Sequence, residues 1–216
     1  MGQGRRGIIW AAAAACSAAL ACPGAEAQSA PPVPTFAKTV VLARVSGKVL
    51  IRVPGAPYGF VPLASAPTVV PVGTIIDTTA GRVRLTSADP GPTPAKLQSG
   101  QFFLGTFRVQ QNATAGGLVG LVIRDNEPRS VCAAATAHEA ALSQRILGLL
   151  RGTAHGRFRT VGRFAAATVR GTNWGVRDRC DGTLTVVREG VVAVTDFVRH
   201  TTVIVRAGQT YLAKAP

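Results

Sequence analysis

Acidic residues are scarce in this chain. Ten Asp and Glu stand against 24 Lys and Arg across 216 residues, a formal net charge of +14. Apart from Glu26, the carboxylates are Asp77, Asp89, Asp125, Glu127, Glu139, Asp178, Asp181, Glu189 and Asp196, and they fall mostly in turns or on the polar side of patterned segments. No pair is placed for glycosidase-type acid–base work, which needs two carboxyls about 5–9 Å apart in a cleft. The three histidines, His138, His155 and His200, have no spacing that gathers them at a metal. Aromatics are few (2 Trp, 2 Tyr and 8 Phe), too few to stack successive bases of a single strand. No glycine-rich phosphate loop is present, because "GTAHGRFRTVGRF" spaces its glycines too widely and leads into strands. The residues therefore offer no catalytic set, no metal site and no cofactor, and the chain reads as non-enzymatic.

Long apolar runs are also missing. The longest, Ile8 to Ala21, is about 14 residues, short of the roughly 20 that span a bilayer as a helix. It follows Arg5 and Arg6, breaks at Pro23-Gly24 and closes on Ala25-Glu26-Ala27, the small-x-small pattern cut by signal peptidase. Residues 1–27 are thus expected to be a signal peptide, with the product extracytoplasmic. Lipidation of Cys22 is the alternative anchoring. Cleavage after Ala27 leaves 189 residues with 22 basic and 9 acidic side chains, enough for one domain with a core. Nearly all that positive charge is Arg, since Lys occurs only at 38, 48, 96 and 214.

Cysteine is equally sparse. Only Cys132 and Cys180 survive cleavage, and an even pair in an exported chain reads as one disulfide. Two free thiols, or Cys132 as a nucleophile with His138 as its base, are the alternatives.

What the chain has in quantity is short alternating segments cut by Gly and Pro. Residues 28–38, "QSAPPVPTFAK", form an extended, partly disordered Pro-rich spacer. From Thr39 to Arg124, "TVVLARV" and "KVLIRV" flank Ser46-Gly47 as a two-residue hairpin. "TIIDTTAGRVRLTS" gives two strands around Ala80-Gly81. Three prolines in "GFVPLASAPTVVPVG" confine that stretch to edge strands and corners. "QFFLGTFRVQQ" and "GLVGLVIRD" form a further strand pair. Residues 125–155 break the pattern as a linker, with Ala137, Ala140, Ala141, Ile146 and Leu149 permitting a short helix within 126–151 and a flexible insert as the alternative. From 156 to 216 alternation resumes, with turns at Asp181-Gly182, Gly190 and Ala207-Gly208. Strands of five to seven residues with turns every 8–12 predict an all-β fold, either sandwich-like or a β-solenoid.

The stretch "ATVRGTNWGV … DGTLTVVREGVVAV … TTVIVRAGQTYLA" resembles the second half of the FecR domain, the extracytoplasmic part of the iron-dicitrate sensor and its relatives. Val169-Arg170-Gly171-Thr172 with Trp174, Asp181-Gly182-Thr183, Glu189-Gly190-Val191 and Ala207-Gly208-Gln209 carry the likeness. "SGKVLIRVPG…VPVGTIIDTTAGRVRLTSA" resembles the first half. The whole is similar to exported bacterial proteins that carry this domain with an insert between its halves, 39–124 and 156–216. The resemblance implies a binding, scaffold or sensory module of the cell envelope whose partner is an envelope protein or glycan. A sigma-binding segment and a following transmembrane helix have no counterpart here, so no sigma factor is expected to be contacted directly. Gly171, Gly182, Gly190 and Gly208 are read as turn or bulge positions, Thr172 as part of the same motif, and Trp174 as a plug in a thin core.

One stripe offers a second role. Arg157 and Arg159 share a strand face, and Arg163, Arg170, Arg177 and Arg179 follow within about twenty residues. Such a stripe suits a polyanion such as teichoic acid, anionic lipid or DNA, held by salt-sensitive phosphate contacts. A merely solvated outer face is the other reading.

Overall fold

Side-chain burial alternates with period two along nearly every patterned segment, and each such segment is a strand. The computed structural model describes residues 1, 30–91, 96–128, 130–133 and 144–216. The expected signal peptide with Cys22, together with Ala137, His138, Glu139, Ala140 and Ala141, lies outside them. Residues Pro31–Pro216 form one compact unit. Its strands are β1 Thr39–Gly47, β2 Leu50–Arg52, β3 Val61–Pro62, β4 Thr68–Pro71, β5 Ile75–Asp77, β6 Gly81–Ala88, β7 Leu97–Phe103, β8 Thr106–Gln111 and β9 Val119–Arg124. Then come β10 Ile146–Val161, β11 Ala165–Arg179, β12 Gly182–Glu189, β13 Val191–Asp196, β14 Thr201–Arg206 and β15 Thr210–Lys214.

All fifteen belong to one curled sheet, in which only β9 and β10 pair in parallel. Antiparallel pairing elsewhere is that of a sandwich, not of stacked solenoid coils. Two long strands make the curl. β10 pairs with β7 through Arg151–His155, then with β9 through Phe158–Val161, and with β11 along its other edge. β11 in turn pairs with β13 through Ala165–Val169 and with β12 from Asn173 onward. The β10–β11 hairpin therefore starts in one layer (β4, β1, β6, β7, β12, β15) and ends in a second (β3, β2, β5, β8, β9, β13, β14). The register shifts between Ala154 and Arg157, and Gly171 at φ +86° takes the matching bend in β11. A strand that changes sheets through a bulge is the corner device of orthogonal sandwiches.

Three further corners stand where two hairpins and one continuous strand, 101–111, were expected. Ser46-Gly47, Ala80-Gly81 and Leu104-Gly105 do not turn a strand back on its predecessor, because β1, β6 and β7 belong to the first layer and β2, β5 and β8 to the second. The corners hold one another. Lys48 N–H donates to Ala80 O at 2.9 Å, Leu104 N–H to Thr78 O at 3.0 Å, and the Thr78 hydroxyl to Gly105 O at 2.7 Å. Local turn chemistry is the same for a corner and a hairpin, so the sequence alone does not separate them.

The Pro-rich edges behave as expected, with β3 and β4 at the two ends of the main strand path. Two boundaries differ. Residues 146–151 are strand, not helix: Leu147 and Leu150 are each 1% exposed and point inward, and Ile146 pairs with Arg179. Helix is confined, among the described residues of 126–151, to Ser130–Ala133. Residues 34–38 are anchored rather than loose. Pro34 is buried, and Ala37 N–H donates to the Gln111 side-chain oxygen at 3.1 Å.

The core is one apolar cluster spanning both layers. Phe102 of β7 lies at its centre, with ring centroids 5.8 Å from Phe107, 5.4 Å from Phe158 and 6.2 Å from Trp174. Trp174 is the expected plug, 1% exposed, and its indole N–H donates to the Thr160 hydroxyl at 3.0 Å across the layers. The predicted disulfide joins Cys132 to Cys180, with Cα atoms 5.3 Å apart.

Gly182, where β12 leaves the Asp181 turn, faces β15 so closely that a Cβ would meet Ala213 O at 2.2 Å and its carbonyl carbon at 3.0 Å. Both obstacles are backbone, and φ there is +149°. Gly182→Ala is expected to cost about 2–3 kcal/mol by overpacking this ladder. A urea midpoint unchanged by the substitution would contradict the β12–β15 register.

Candidate anion-binding face

Cross-strand register assembles a face that sequence order hides. On the outer side of the first layer, Arg84, Gln101, Thr153 and Asn173 are neighbours on β6, β7, β10 and β11. The adjacent row runs Arg82, Phe103, Arg151, Gly175, Val186. Arg177, opposite Leu149, sits diagonally from Arg151, a separation of about 7–8 Å between such positions. Arg188 closes the group near the end of β12. Two of the arginines have strand neighbours that shape them. The Arg82 guanidinium lies 4.0 Å from the Phe103 ring centroid and donates to the Gln101 side-chain oxygen at 3.4 Å. Gly175 leaves room for Arg151, since a Cβ there would come within 3.3 Å of Arg151 Cγ.

None of Arg82, Arg84, Arg151, Arg177 and Arg188 has an ion-pair partner among the described residues. Burial, then the positive charges of Arg188 and Arg177, hold the Arg151 guanidinium below its ordinary pKa. The face is self-repelling as it stands. It carries a shallow depression of about 400 Å³ lined by Arg82, Arg84, Ser99, Gln101, Thr153 and His155. Guanidinium donors with hydroxyl and amide groups between them suit phosphate or carboxylate oxygens. Glu189, beside Asn173, is the acidic residue at the rim.

The arginines singled out in the sequence go to several places. Arg157 and Arg159 do share a face, the outer side of the second layer, and Arg170 is the register partner of Arg157. Arg157 is engaged by Asp89 at 3.6 Å, and Arg159 donates to the Thr168 hydroxyl at 3.1 Å. Arg163 lies at the hairpin tip, its guanidinium 4.8 Å from the Phe164 ring centroid. Arg179 is held bidentately by Asp181. Of the stripe, Arg177 joins the first-layer group, while Arg179, on the same side of β11, is taken by Asp181. Arg82, Arg84 and Arg188 were absent from it because they lie on β6 and β12, and Arg151 because it falls in the stretch 125–155 read as a linker. The one local signal was the Arg-x-Arg at 82–84 on the polar side of an alternating strand.

The buried carboxylates are taken up by the fold. Asp178 is 2% exposed, and burial pushes its carboxyl up against the opposing hydrogen bonds from the Thr183 hydroxyl (2.5 Å) and the Arg163 amide (2.9 Å). It ties the hairpin tip to β12. Asp196 is buried too, which alone would raise it. Amide donors at Arg199 and Val198 and the Tyr211 hydroxyl outweigh that and hold its carboxyl below the usual range. Gly190 and Gly208 occupy turns at positive φ, and Thr172 is buried beside Gly190.

Among the described residues no three His, Cys, Asp or Glu side chains converge as a metal site, and no helix is long and apolar enough to cross a membrane. Comparison with protein-family models, with curated proteins and with solved structures gives no match, so the geometry of this face has to carry the functional argument by itself.

Proposed function

We propose that this chain is an exported, non-enzymatic β module of the cell envelope that binds an anionic polymer through the outer face of its first layer. The observation that carries the reading is the grouping of five arginines from four strands with no carboxylate paired to any of them among the described residues. A polymer phosphate placed there replaces mutual repulsion with charge-assisted hydrogen bonds. The resemblance of 167–213 to a FecR-type domain supports a binding or sensory role outside the cytoplasm. The Cys132–Cys180 bond agrees with an oxidising compartment. The FecR-like scaffold positions the face, and teichoic acid is the polymer that best fits an envelope protein of this charge.

Retention on immobilised teichoic acid, measured against salt, tests the reading. Each phosphate contact contributes about 0.7–0.9 to the slope of log affinity against log salt. Replacing Arg82, Arg84, Arg151 and Arg177 together by Ala should lower that slope by about 3. Replacing Arg157, Arg159 and Arg163 should lower it by less, since Arg157 and Arg159 already have partners. A quadruple variant that melts like the parent and keeps its salt slope overturns the proposal.

A further inference from the structure

The outer face of the second layer holds a separate site beneath the β2–β3 loop. Register aligns Arg52, Ile75 and Arg108 on β2, β5 and β8, and Asp77, Thr106 and Arg124 in the next row. Arg52 and Arg108 flank Ile75 from two strands apart, about 9–10 Å between backbones. Arg124 sits diagonally from Arg108, about 7–8 Å away. The loop after β2 returns Phe60 over this surface, with the Arg52 guanidinium 5.4 Å from its ring centroid. Two adjoining depressions of about 360 and 260 Å³ share Arg52 and Ile75 as their common wall.

Two features point to a ligand. The Arg108 Nε is buried without a hydrogen-bond partner, a costly state for a charged donor. Arg52 and Arg124 likewise have no carboxylate within ion-pair distance among the described residues. Beside them, Asp77 uses Oδ1 to accept from the Thr79 amide at 2.9 Å and hydroxyl at 2.7 Å, and Oδ2 has no hydrogen bond among the described residues. A bare phosphate would meet that carboxylate as a like charge. A ligand with hydroxyl donors next to its anion would use it. Thr106 and Asn126 add polar groups on the same side, while Ile75 and the 42%-exposed Phe60 offer apolar surface to a ring face.

From this combination we infer that the Arg52–Arg108–Arg124 cleft binds an acidic sugar residue of a glycan. The sugar carboxylate lies against the guanidinium groups, its hydroxyls against Asp77 and Asn126, and its ring against Phe60. The inference is independent of the first-layer face and uses none of its residues.

Calorimetric titration of the full chain with trigalacturonate tests it, with neutral cellotriose and inorganic phosphate as comparators. The acidic trisaccharide should bind at least about tenfold more tightly than either comparator, the scale of one charge-assisted hydrogen bond lost. Arg108→Met and Asp77→Asn should each weaken it by about tenfold. Phosphate binding as tightly as trigalacturonate would overturn the sugar assignment, and so would equal binding of cellotriose. Retained binding in both Arg108→Met and Asp77→Asn would overturn the site. Because two surface-facing positions are varied separately, misfolding of one variant leaves the other to decide.

Discussion

Trp174→Ala is expected to destabilise the protein by about 4–5 kcal/mol, among the largest effects of any single side chain here. The indole is 1% exposed and touches Phe102, the ring at which both layers meet. Truncation leaves a cavity in a thin core that cannot collapse, because the walls are strand backbones held by ladders on both sides. It also strands the Thr160 hydroxyl, which accepts the indole N–H inside the protein. That orphan adds about 1 kcal/mol. Trp174→Phe separates the two contributions, since it keeps most of the volume and loses the donor. Urea midpoints should then rank parent, Trp174→Phe and Trp174→Ala in that order, with the last transition well separated. A loss below about 1.5 kcal/mol for Trp174→Ala would mean the residue does not fill the space between the layers.

Reducing Cys132–Cys180 comes next in size. The bond closes a segment with a sequence separation of 48, which holds the whole β10–β11 hairpin. Releasing it frees the unfolded chain and costs about 4 kcal/mol in the chain-entropy view. The folded layers should persist, because β10 and β11 remain paired along both arms. Unfolding in urea with and without reductant checks this. The reduced form should show a lower midpoint and a steeper dependence on denaturant, since its unfolded state exposes more surface. Equal midpoints would show that the crosslink constrains nothing in the unfolded state.

Much of the fold was legible in residues that speak locally. Alternation along Gly182–Glu189 and Val191–Asp196, with Gly190 between them, marked strands and turn, and those strands are there. Prolines marked the edges, and the cysteine pair marked the crosslink. The layer assignment was not legible. Ser46-Gly47 and Ala80-Gly81 carry the composition of hairpin turns, yet each takes the chain across an edge to the other sheet. What separates the two outcomes is the pairing of β1 with β4 and β6 and of β5 with β2 and β8, all outside either turn's own window. Ile146–Arg151 was misjudged for a related reason. Its leucines fit a helical spacing, and only the pairing with β7 and β11 selects the strand. The basic face was hidden in the same way: Arg82, Arg151 and Arg188 become neighbours through register, which no window of sequence contains.

The strand that unites both layers is the tenth of fifteen, and this sets an order of assembly. Before Ile146 is made, β7 and β9 have no common neighbour, so the nine earlier strands are two ladders that meet at their corners and leave the edges of β7 and β9 open. A nascent chain must hold these ladders apart from other chains until the long hairpin arrives to zip them together. Charged residues along those early strands, Arg52, Arg82, Arg84, Arg108 and Arg124 among them, are well placed to keep exposed edges from sticking during that wait.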